Sequence, residues 1–407
     1  MVLAALPRED DAEERLGELR ELLRTAGAVA VDIVVQRRDK PDPRTYLGKG
    51  RLDEVAEIVA REKPELVAAE GELTPGQQRA LEDRLNTRVV DRTAIILDIF
   101  ALHATTAEGK LQVELAQLEY YYARQEGLWQ HLERLGGGVG TRGPGETQLE
   151  VDRRLIRTRM ARLQRRLNKV GASRELRRKE RRDSAVPRVA LAGYTNAGKS
   201  SLMNALTEAD VNVNDALFET LDSTTRLLEH DGCQVLMSDT VGFIRHLPHQ
   251  LVEAFASTLE EVREANLILH VIDASEVEER RQLRVEAVEE VLQELEADEI
   301  PRTLVLNKVD LLDENERVAL RNRWPQAIHV SAHSGEGLEL LRDRLAEIAR
   351  ERMVQVDLII PYERGDLIAA VHAAGNDVVE SANDTGMQIS ALLPPAAAGR
   401  IKAALSR

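Results

Sequence analysis

The sequence predicts an α/β protein: a P-loop nucleotide domain joined to an N-terminal α/β domain, an antiparallel helical coiled-coil hairpin and a small C-terminal α+β domain. Three observations carry this. Gly193-Tyr194-Thr195-Asn196-Ala197-Gly198-Lys199-Ser200 is a full Gly-x-x-x-x-Gly-Lys-Ser loop. It stands between an apolar run, Val186 to Ala192, and a helix start, Ser201 to Leu206, in the strand–loop–helix order the motif requires. The first 105 or so residues alternate strand-like and helix-like segments, the pattern of a parallel sheet with crossover helices. Finally, Ile156, Met160, Leu163, Leu167 and Val170 step by four, three, four and three, which is a coiled-coil seam.

The elements follow in order. Ala28 to Val35 reads as a strand, Arg51 to Glu62 as an amphipathic helix and Leu66 to Ala69 as a strand. Thr74-Pro75-Gly76-Gln77 supplies a cap, a proline at the first helical position and a glutamine at the third. Val89 and Val90 end another short strand. Leu111, Leu115, Leu118, Tyr122, Leu132 and Leu135 form the stripe of one long helix, and the seam residues that of a second. Leu135 to Gly145 joins the two through a glycine-rich tip. Asp231-Gly232 predicts a hairpin, and Leu267 to Ile272 a buried strand. From Met353 the tail reads as a strand, Val354 to Ile360, a helix near Asp366 to Ala374, two short strands and a last helix. The expected domains are 1–107, 108–183, 184–352 and 353–407.

Composition narrows the setting. A chain of 407 residues can bury several cores. The single cysteine, Cys233, cannot form an internal disulfide and fits a reducing compartment. There is no apolar run long enough for a membrane span, and Met1 to Pro7 is too short for a signal segment. These features predict a cytoplasmic protein, expected to be a monomer. The net charge of −15 argues against general nucleic-acid affinity. Yet residues 151–182 hold 14 Lys/Arg and three Asp/Glu, a local net of +11. That stretch is either a surface for a polyanion or a solvated linker helix.

The site can be assembled from the motifs. Backbone N–H groups of the loop, with the helix N-terminus behind them, would close around phosphates. Lys199 would reach the β- and γ-phosphates, and the Ser200 hydroxyl would ligate Mg²⁺. Asp239-Thr240-Val241-Gly242 ends a strand from Gln234 to Ser238. Asp239 would hold Mg²⁺ through water, and the Gly242 N–H would meet the γ-phosphate and sense its loss. Between them, Phe218-Glu219-Thr220-Leu221-Asp222 precedes Ser223-Thr224-Thr225-Arg226. Thr220 is the chosen second Mg²⁺ ligand, with Thr224 and Thr225 as alternatives. Asn307-Lys308-Val309-Asp310 follows the strand Thr303 to Leu306. The Asp310 carboxylate can accept from guanine N1 and the guanine amino group, a donor pair adenine lacks, so GTP and GDP are the expected ligands. Asn307 and Lys308 would brace the loop and flank the base. Ser331-Ala332-His333 would offer backbone N–H to the guanine carbonyl. Gly193 to Ser201, Phe218 to Asp222, Asp239 to Gly242 and these last residues make up the candidate site, with Lys199, Thr220 and Gly242 as the catalytic candidates.

These motifs, together with residues outside the nucleotide domain, resemble the HflX family of translation-associated GTPases, related to Era and Obg. The diagnostic segments are Tyr46-Leu47-Gly48-Lys49-Gly50, Asp91-Arg92-Thr93, Gly109 to Leu118, and Gly140-Thr141-Arg142-Gly143-Pro144-Gly145-Glu146-Thr147-Gln148-Leu149-Glu150. Phe218 to Asp222 resembles the family's switch segment and supports Thr220. The sequence departs at Ala68-Ala69-Glu70-Gly71-Glu72-Leu73, where the family more often shows Asn-Asp before Glu-Leu. The resemblance implies GTP hydrolysis, binding to the large ribosomal subunit and its RNA, and splitting of stalled or idle ribosomes, with the hairpin directed at ribosomal RNA. Arg142, Arg153, Arg154 and Arg157 are the RNA-contact candidates. A regulatory GTP switch in ribosome assembly or RNA metabolism, without splitting, is the alternative. A tRNA-modification partner fits less well, because the chain ends Leu405-Ser406-Arg407 with no cysteine nearby.

Phe243 follows Gly242, where well-known switch GTPases place a water-orienting glutamine. Phenylalanine can make no such hydrogen bond, so slow basal hydrolysis is expected, with a partner or an ion supplying what is missing. In related GTPases with Asn-Ala-Gly-Lys-Ser the asparagine helps bind potassium. Asn196 is accordingly a candidate K⁺ ligand, or simply a stabiliser of the loop.

Overall fold

The strand order β2-β1-β3-β4, all parallel, organises the N-terminal part of this computed structural model. The structure describes residues 1–7, 12–135, 151, 153–170, 186–207, 217–218, 223–245, 251 and 256–406. By packing it divides into two units: 1–170 with 216–221 and 248–255, and the remainder.

In the first unit β1 (Val2–Leu6), β2 (Ile33–Arg37), β3 (Leu66–Glu70) and β4 (Arg88–Asp91) form the sheet. Two of these positions correct the sequence reading. The opening residues, which the sequence reading treats only as too short for a signal segment, include an interior strand buried at every position. A strand covered on both faces is a continuous apolar run without alternation, so it gives no period to read. The expected strand from Ala28 begins only at Ile33, because β1 offers five partners, Val2↔Ile33 to Leu6↔Arg37. Val29 and Val31 before it are 83% and 68% exposed.

Helix α1 (Ala12–Thr25) was also missed; it buries Leu16, Leu19, Leu22 and Leu23. Then come α2 (Lys49–Glu62), α3 (Pro75–Leu85) and α4 (Arg92–His103). Helix α3 starts as the sequence predicts. Thr74 accepts from the Gln77 N–H, Gln77 returns a side-chain bond to the Thr74 N–H, and Pro75 occupies the first position. The family segment around Tyr46 turns out to be internal packing. Tyr46 is 1% exposed, accepts from the Ala5 N–H at 3.1 Å and donates to the Glu70 carbonyl, so its phenol pins β1 to β3. Glu70, in the segment that departs from the family, is buried among Arg15 and Arg92, each 3.3 Å away.

Helix α5 (Ala107–Leu135) faces a second helix, α6, over 153–170. Arg159 bonds Glu114 at 2.7 Å and Arg153 bonds the Tyr122 hydroxyl at 3.2 Å, a crossed register that makes the pair antiparallel. In α6 the seam stands as read: Leu163 is buried, and Ile156, Met160, Leu167 and Val170 are half-buried. In α5 Leu111 is buried and Leu115, Leu118 and Tyr122 are half-buried along the expected stripe, and the side chains of Leu132 and Leu135 lie outside the described residues. Val113, Ala116 and Tyr120 are also buried, because α5 packs on α3 and α4 as well. The glycine-rich tip with Arg142 lies outside the described residues.

In the second unit a six-stranded sheet runs β10-β9-β8-β5-β7-β6. Its strands are β5 (Arg188–Gly193), β6 (Thr224–His230), β7 (Cys233–Asp239), β8 (Leu267–Asp273), β9 (Arg302–Asn307) and β10 (Ile328–His329). Only β6 is antiparallel, joined to β7 through Asp231 and Gly232 at φ 47° and 71°, the mirror-image turn a hairpin favours. Cys233 is buried where β7 begins. Helices α7 (Lys199–Thr207), α8 (Ala256–Arg263), α9 (Glu278–Glu294), α10 (Glu314–Arg323) and α11 (Leu338–Glu351) accompany this sheet. A final three-stranded antiparallel sheet, β11 (Val354–Ile360), β13 (Gly386–Leu393) and β12 (Asn376–Asn383), packs with α12 (Gly365–Ala374) and α13 (Pro395–Leu405) around its own apolar cluster. No helix among the described residues is long and apolar enough to cross a membrane.

Candidate active site

The loop between β5 and α7 lies at the carboxyl ends of the parallel strands, where open α/β sheets bind ligands. Gly193 must be glycine because β8 presses on it: a Cβ there would stand 2.3 Å from the Val271 carbonyl. Lys199 opens α7 and is 6% exposed, its Nζ donating to the carbonyls of Gly193 at 3.1 Å and Tyr194 at 2.9 Å. Burial pushes its pKa down to about 8, with Asp239 pulling the other way. A desolvated ammonium of this kind gains strongly from an anion placed beside it. Thr195 Oγ1 is buried with no hydrogen-bond partner among the described residues, and leaving such a group unmet costs about 1–3 kcal/mol. Asn196 is exposed at φ 62°, and Ser201 lies in the first turn of α7.

Strand β7 brings the next group. Asp239 is 2% exposed and accepts from Ser200 Oγ at 2.6 Å. A carboxylate and a hydroxyl this close are hard oxygen donors, which fits Mg²⁺ with retained waters. Thr240 donates to the Leu191 carbonyl at 2.6 Å, and Val241 is buried. Gly242 lies directly on the loop. A Cβ there would be 2.8 Å from Thr195 Cγ2 and 3.1 Å from Lys199 Nζ, so only glycine fits. Phe243 is 1% exposed and extends this contact as a parallel bridge to Tyr194.

The base-side motif is tied to the phosphate side by one amide. Asn307, 1% exposed, donates to the Ala197 carbonyl at 3.0 Å and accepts from the Ala332 N–H at 3.1 Å. Gly198, at φ 85°, makes room for it; a Cβ would stand 2.3 Å from the Asn307 amide nitrogen. Lys308 is left-handed at φ 66° and pairs with Asp273 at 2.7 Å. Asp273 was not foreseen, since one carboxylate ending an apolar strand carries no motif. The Asp310 carboxylate is 25% exposed, 3.9 Å from the imidazole of the exposed His333. Ser331 is fully buried and accepts from the Ser334 N–H at 2.9 Å.

The second unit thus brings together the loop, Asp239 to Gly242, Asn307, Lys308, Asp310 and Ser331 to His333. Phe218 belongs to the first unit, where its ring meets Phe100 edge-on at 4.8 Å and its carbonyl lies 2.5 Å from His103 Nδ1. Glu219, Thr220, Leu221 and Asp222 lie outside the described residues. Of the alternatives to Thr220, Thr224 and Thr225 are both taken up in β6, and Thr225 hydrogen-bonds Ser238 at 3.1 Å. Among the RNA-contact candidates, Arg153 and Arg157 place their guanidinium groups 5.2 and 5.7 Å from the Tyr122 ring, and Arg154 is exposed.

Comparison with known proteins agrees with this geometry. Three families match consecutive stretches: GTP-binding GTPase N-terminal at residues 13–101, GTP-binding GTPase Middle Region at 103–181, and 50S ribosome-binding GTPase at 188–308. A GTPase HflX from Lacrimispora saccharolytica is 46% identical over 396 residues, covering 97% of this chain and 93% of that relative. One from Escherichia coli is 46% identical over 362 residues, covering 88% of this chain and 84% of that protein. A solved GTP-binding protein from Sulfolobus solfataricus in complex with GDP aligns at TM-score 0.43 and 24% identity, over 86% of this chain and 99% of that one. P-loop GTPases of this kind use Mg²⁺ with the nucleotide. With identity at this level over nearly its whole length, the chain belongs to the HflX family of GTPases and hydrolyses GTP.

Proposed function

We propose that the residues gathered at the carboxyl edge of the six-stranded sheet hold GTP, and that the protein uses the GTP cycle to bind the large ribosomal subunit and split stalled or idle ribosomes. One observation carries the nucleotide reading: buried Lys199, the Ser200–Asp239 pair and Gly242 converge on a single loop. Lys199 faces the β- and γ-phosphates, Asp310 accepts from guanine, and Asn307 holds the two halves in register. Ser200, Asp239 through water and Thr220 would hold Mg²⁺, which would offset negative charge on the phosphates. The Gly242 N–H meets the γ-phosphate and relaxes when it leaves. Since Phe243 offers no polar group to the attacking water, basal turnover is slow, and K⁺ at Asn196 or the ribosome raises it. Steady-state hydrolysis with added large subunits, and with KCl replacing NaCl, measures both effects; rates unchanged by either would end that reading.

The ribosomal reading rests on the net +11 of residues 151–182 in an acidic chain, on Arg153, Arg154 and Arg157 along α6, and on the 50S ribosome-binding family match. The four-part organisation 1–107, 108–183, 184–352 and 353–407 separates this arm from the switch. Sedimentation of intact ribosomes with GTP, GDP or no nucleotide tests it. GTP-dependent appearance of free subunits is expected; co-sedimentation without subunit separation would favour the regulatory switch.

A further inference from the structure

The side chain of Tyr194 stands out within the phosphate loop because it reaches the segment that follows Gly242. Its hydroxyl accepts a hydrogen bond from the Arg245 N–H at 2.9 Å. Arg245 lies three residues past Gly242, in the segment that answers the γ-phosphate. Two backbone bonds complete the attachment: Thr195 N–H to the Phe243 carbonyl at 2.8 Å, and Phe243 N–H to the Gly193 carbonyl at 3.1 Å. Backbone bonds of this kind form with any residue at position 194. The third needs a phenol.

The ring is itself held. It is 6% exposed, and the Arg284 guanidinium from α9 lies over it, 4.7 Å from its centroid. Arg284 is fixed in turn by Glu276, 3.0 Å away. On one side the ring borders a small pocket of about 10 Å³ shared with His270, Glu276 and Arg281. The Arg284 stack and the Arg245 bond orient it there. A chain of contacts therefore runs from Glu276 and Arg284 through the phenol to the backbone just after Gly242.

We infer that Tyr194 is a positioning residue for hydrolysis: its hydroxyl, braced by Arg284, fixes the Gly242–Arg245 segment so that the Gly242 N–H is placed for the γ-phosphate. This rests on the nucleotide reading above and adds a residue acting through another. It also bears on Phe243. With no side chain at that position to orient water, the backbone of the segment carries more of the geometry, and a tether on it matters more.

The test is Tyr194→Phe, which keeps the ring and the Arg284 stack and removes one oxygen. Amide hydrogen exchange at Arg245 should speed up with no nucleotide needed. GDP affinity and thermal midpoint should match the parent. The single-turnover rate of GTP hydrolysis should fall by about two- to tenfold, the worth of one hydrogen bond, and in steady state the loss should appear in kcat and not in KM. Arg284→Met, which keeps length but loses the charge over the ring, should shift kcat the same way by less. Unchanged Arg245 exchange would show that the phenol does not hold this segment. Unchanged kcat, or GDP affinity falling in parallel with kcat, would overturn the positioning role. Failure of the parent to bind guanine nucleotide is a separate result, which would remove the nucleotide assignment itself.

Discussion

Asn307 shows how much of the site depends on single atoms. Its amide joins the Ala197 carbonyl to the Ala332 N–H, so the phosphate loop and the base loop are one hydrogen-bonded object. Gly198→Ala would place a Cβ 2.3 Å from that amide, at a φ of 85° that alanine resists, and so push Asn307 out of register. GDP affinity, read by fluorescence titration, should drop by about tenfold or more, while the distant three-stranded sheet stays folded. Wild-type affinity would mean that Asn307 is not the brace. On the proposed reading, the neighbouring Asp310 selects the base. In Asp310→Asn the amide can no longer accept two hydrogens, but it can donate to the second carbonyl of xanthine. GTP binding should weaken by about tenfold to a hundredfold, the range for a hydrogen bond to a charged group, and xanthosine triphosphate should be admitted. Equal GTP affinity in parent and variant would remove Asp310 from the base site.

Legibility differed from element to element. The phosphate loop, the Asp231-Gly232 hairpin and the Thr74 cap were readable because each needs a particular residue at a particular offset. β1 was not, because five buried apolar residues without alternation carry no period. The stripe of α5 was only part of its buried surface, because a helix packed against several neighbours buries more than one face. Tyr46, Glu70 and Asp91 were visible as family or departure residues. Their work, pinning strands, pairing arginines and capping α4, appears only once the chain is folded. Strand β8 supplies a further case. His270 sits in its middle, 1% exposed, and burial pushes its pKa down to about 4, with Arg302 and Lys199 adding repulsion. The folded value lies below the ordinary 6.5, so the unfolded chain binds a proton that the folded chain refuses between those two values. Stability from this group is full above pH 6.5 and is lost as pH falls towards 4. Between pH 7 and 5 the loss should approach about 2 kcal/mol in urea unfolding, and His270→Leu should flatten that part of the profile. Parallel profiles in parent and variant would show that the strand is not the acid-sensitive element.

Across the whole molecule, charge is divided by role. The chain carries −15, yet residues 151–182 carry a net +11. On the reading proposed above, such segregation would keep an acidic protein from binding RNA at random while leaving one surface for it. Arginine suits that surface because its planar fork can pair with phosphate oxygens. Along the described part of α6 the arginines Arg154, Arg157, Arg159, Arg162, Arg165 and Arg166 are exposed, while Leu163 faces inward.

If this arm meets ribosomal RNA, affinity must depend on salt, because each phosphate contact releases counterions. Raising salt from about 50 to 200 mM should weaken ribosome binding by roughly tenfold for every two or so phosphates contacted. GTP affinity, set inside the second unit, should change far less. The tip offers a sharper separation. Gly136 to Gly145 contains little side-chain bulk apart from Val139, Thr141, Arg142 and Pro144, so it suits a narrow RNA-lined space. Replacing it with a short Ser-rich turn should spare GTP binding and the basal rate but reduce the yield of free subunits in the sedimentation experiment. Arg142→Ala alone should show part of that loss if the arginine, and not only the shape, is read. The two variants divide the arm's contribution into shape and charge. If both split ribosomes as the parent does, the hairpin is a spacer, and its positive charge must serve another anionic surface.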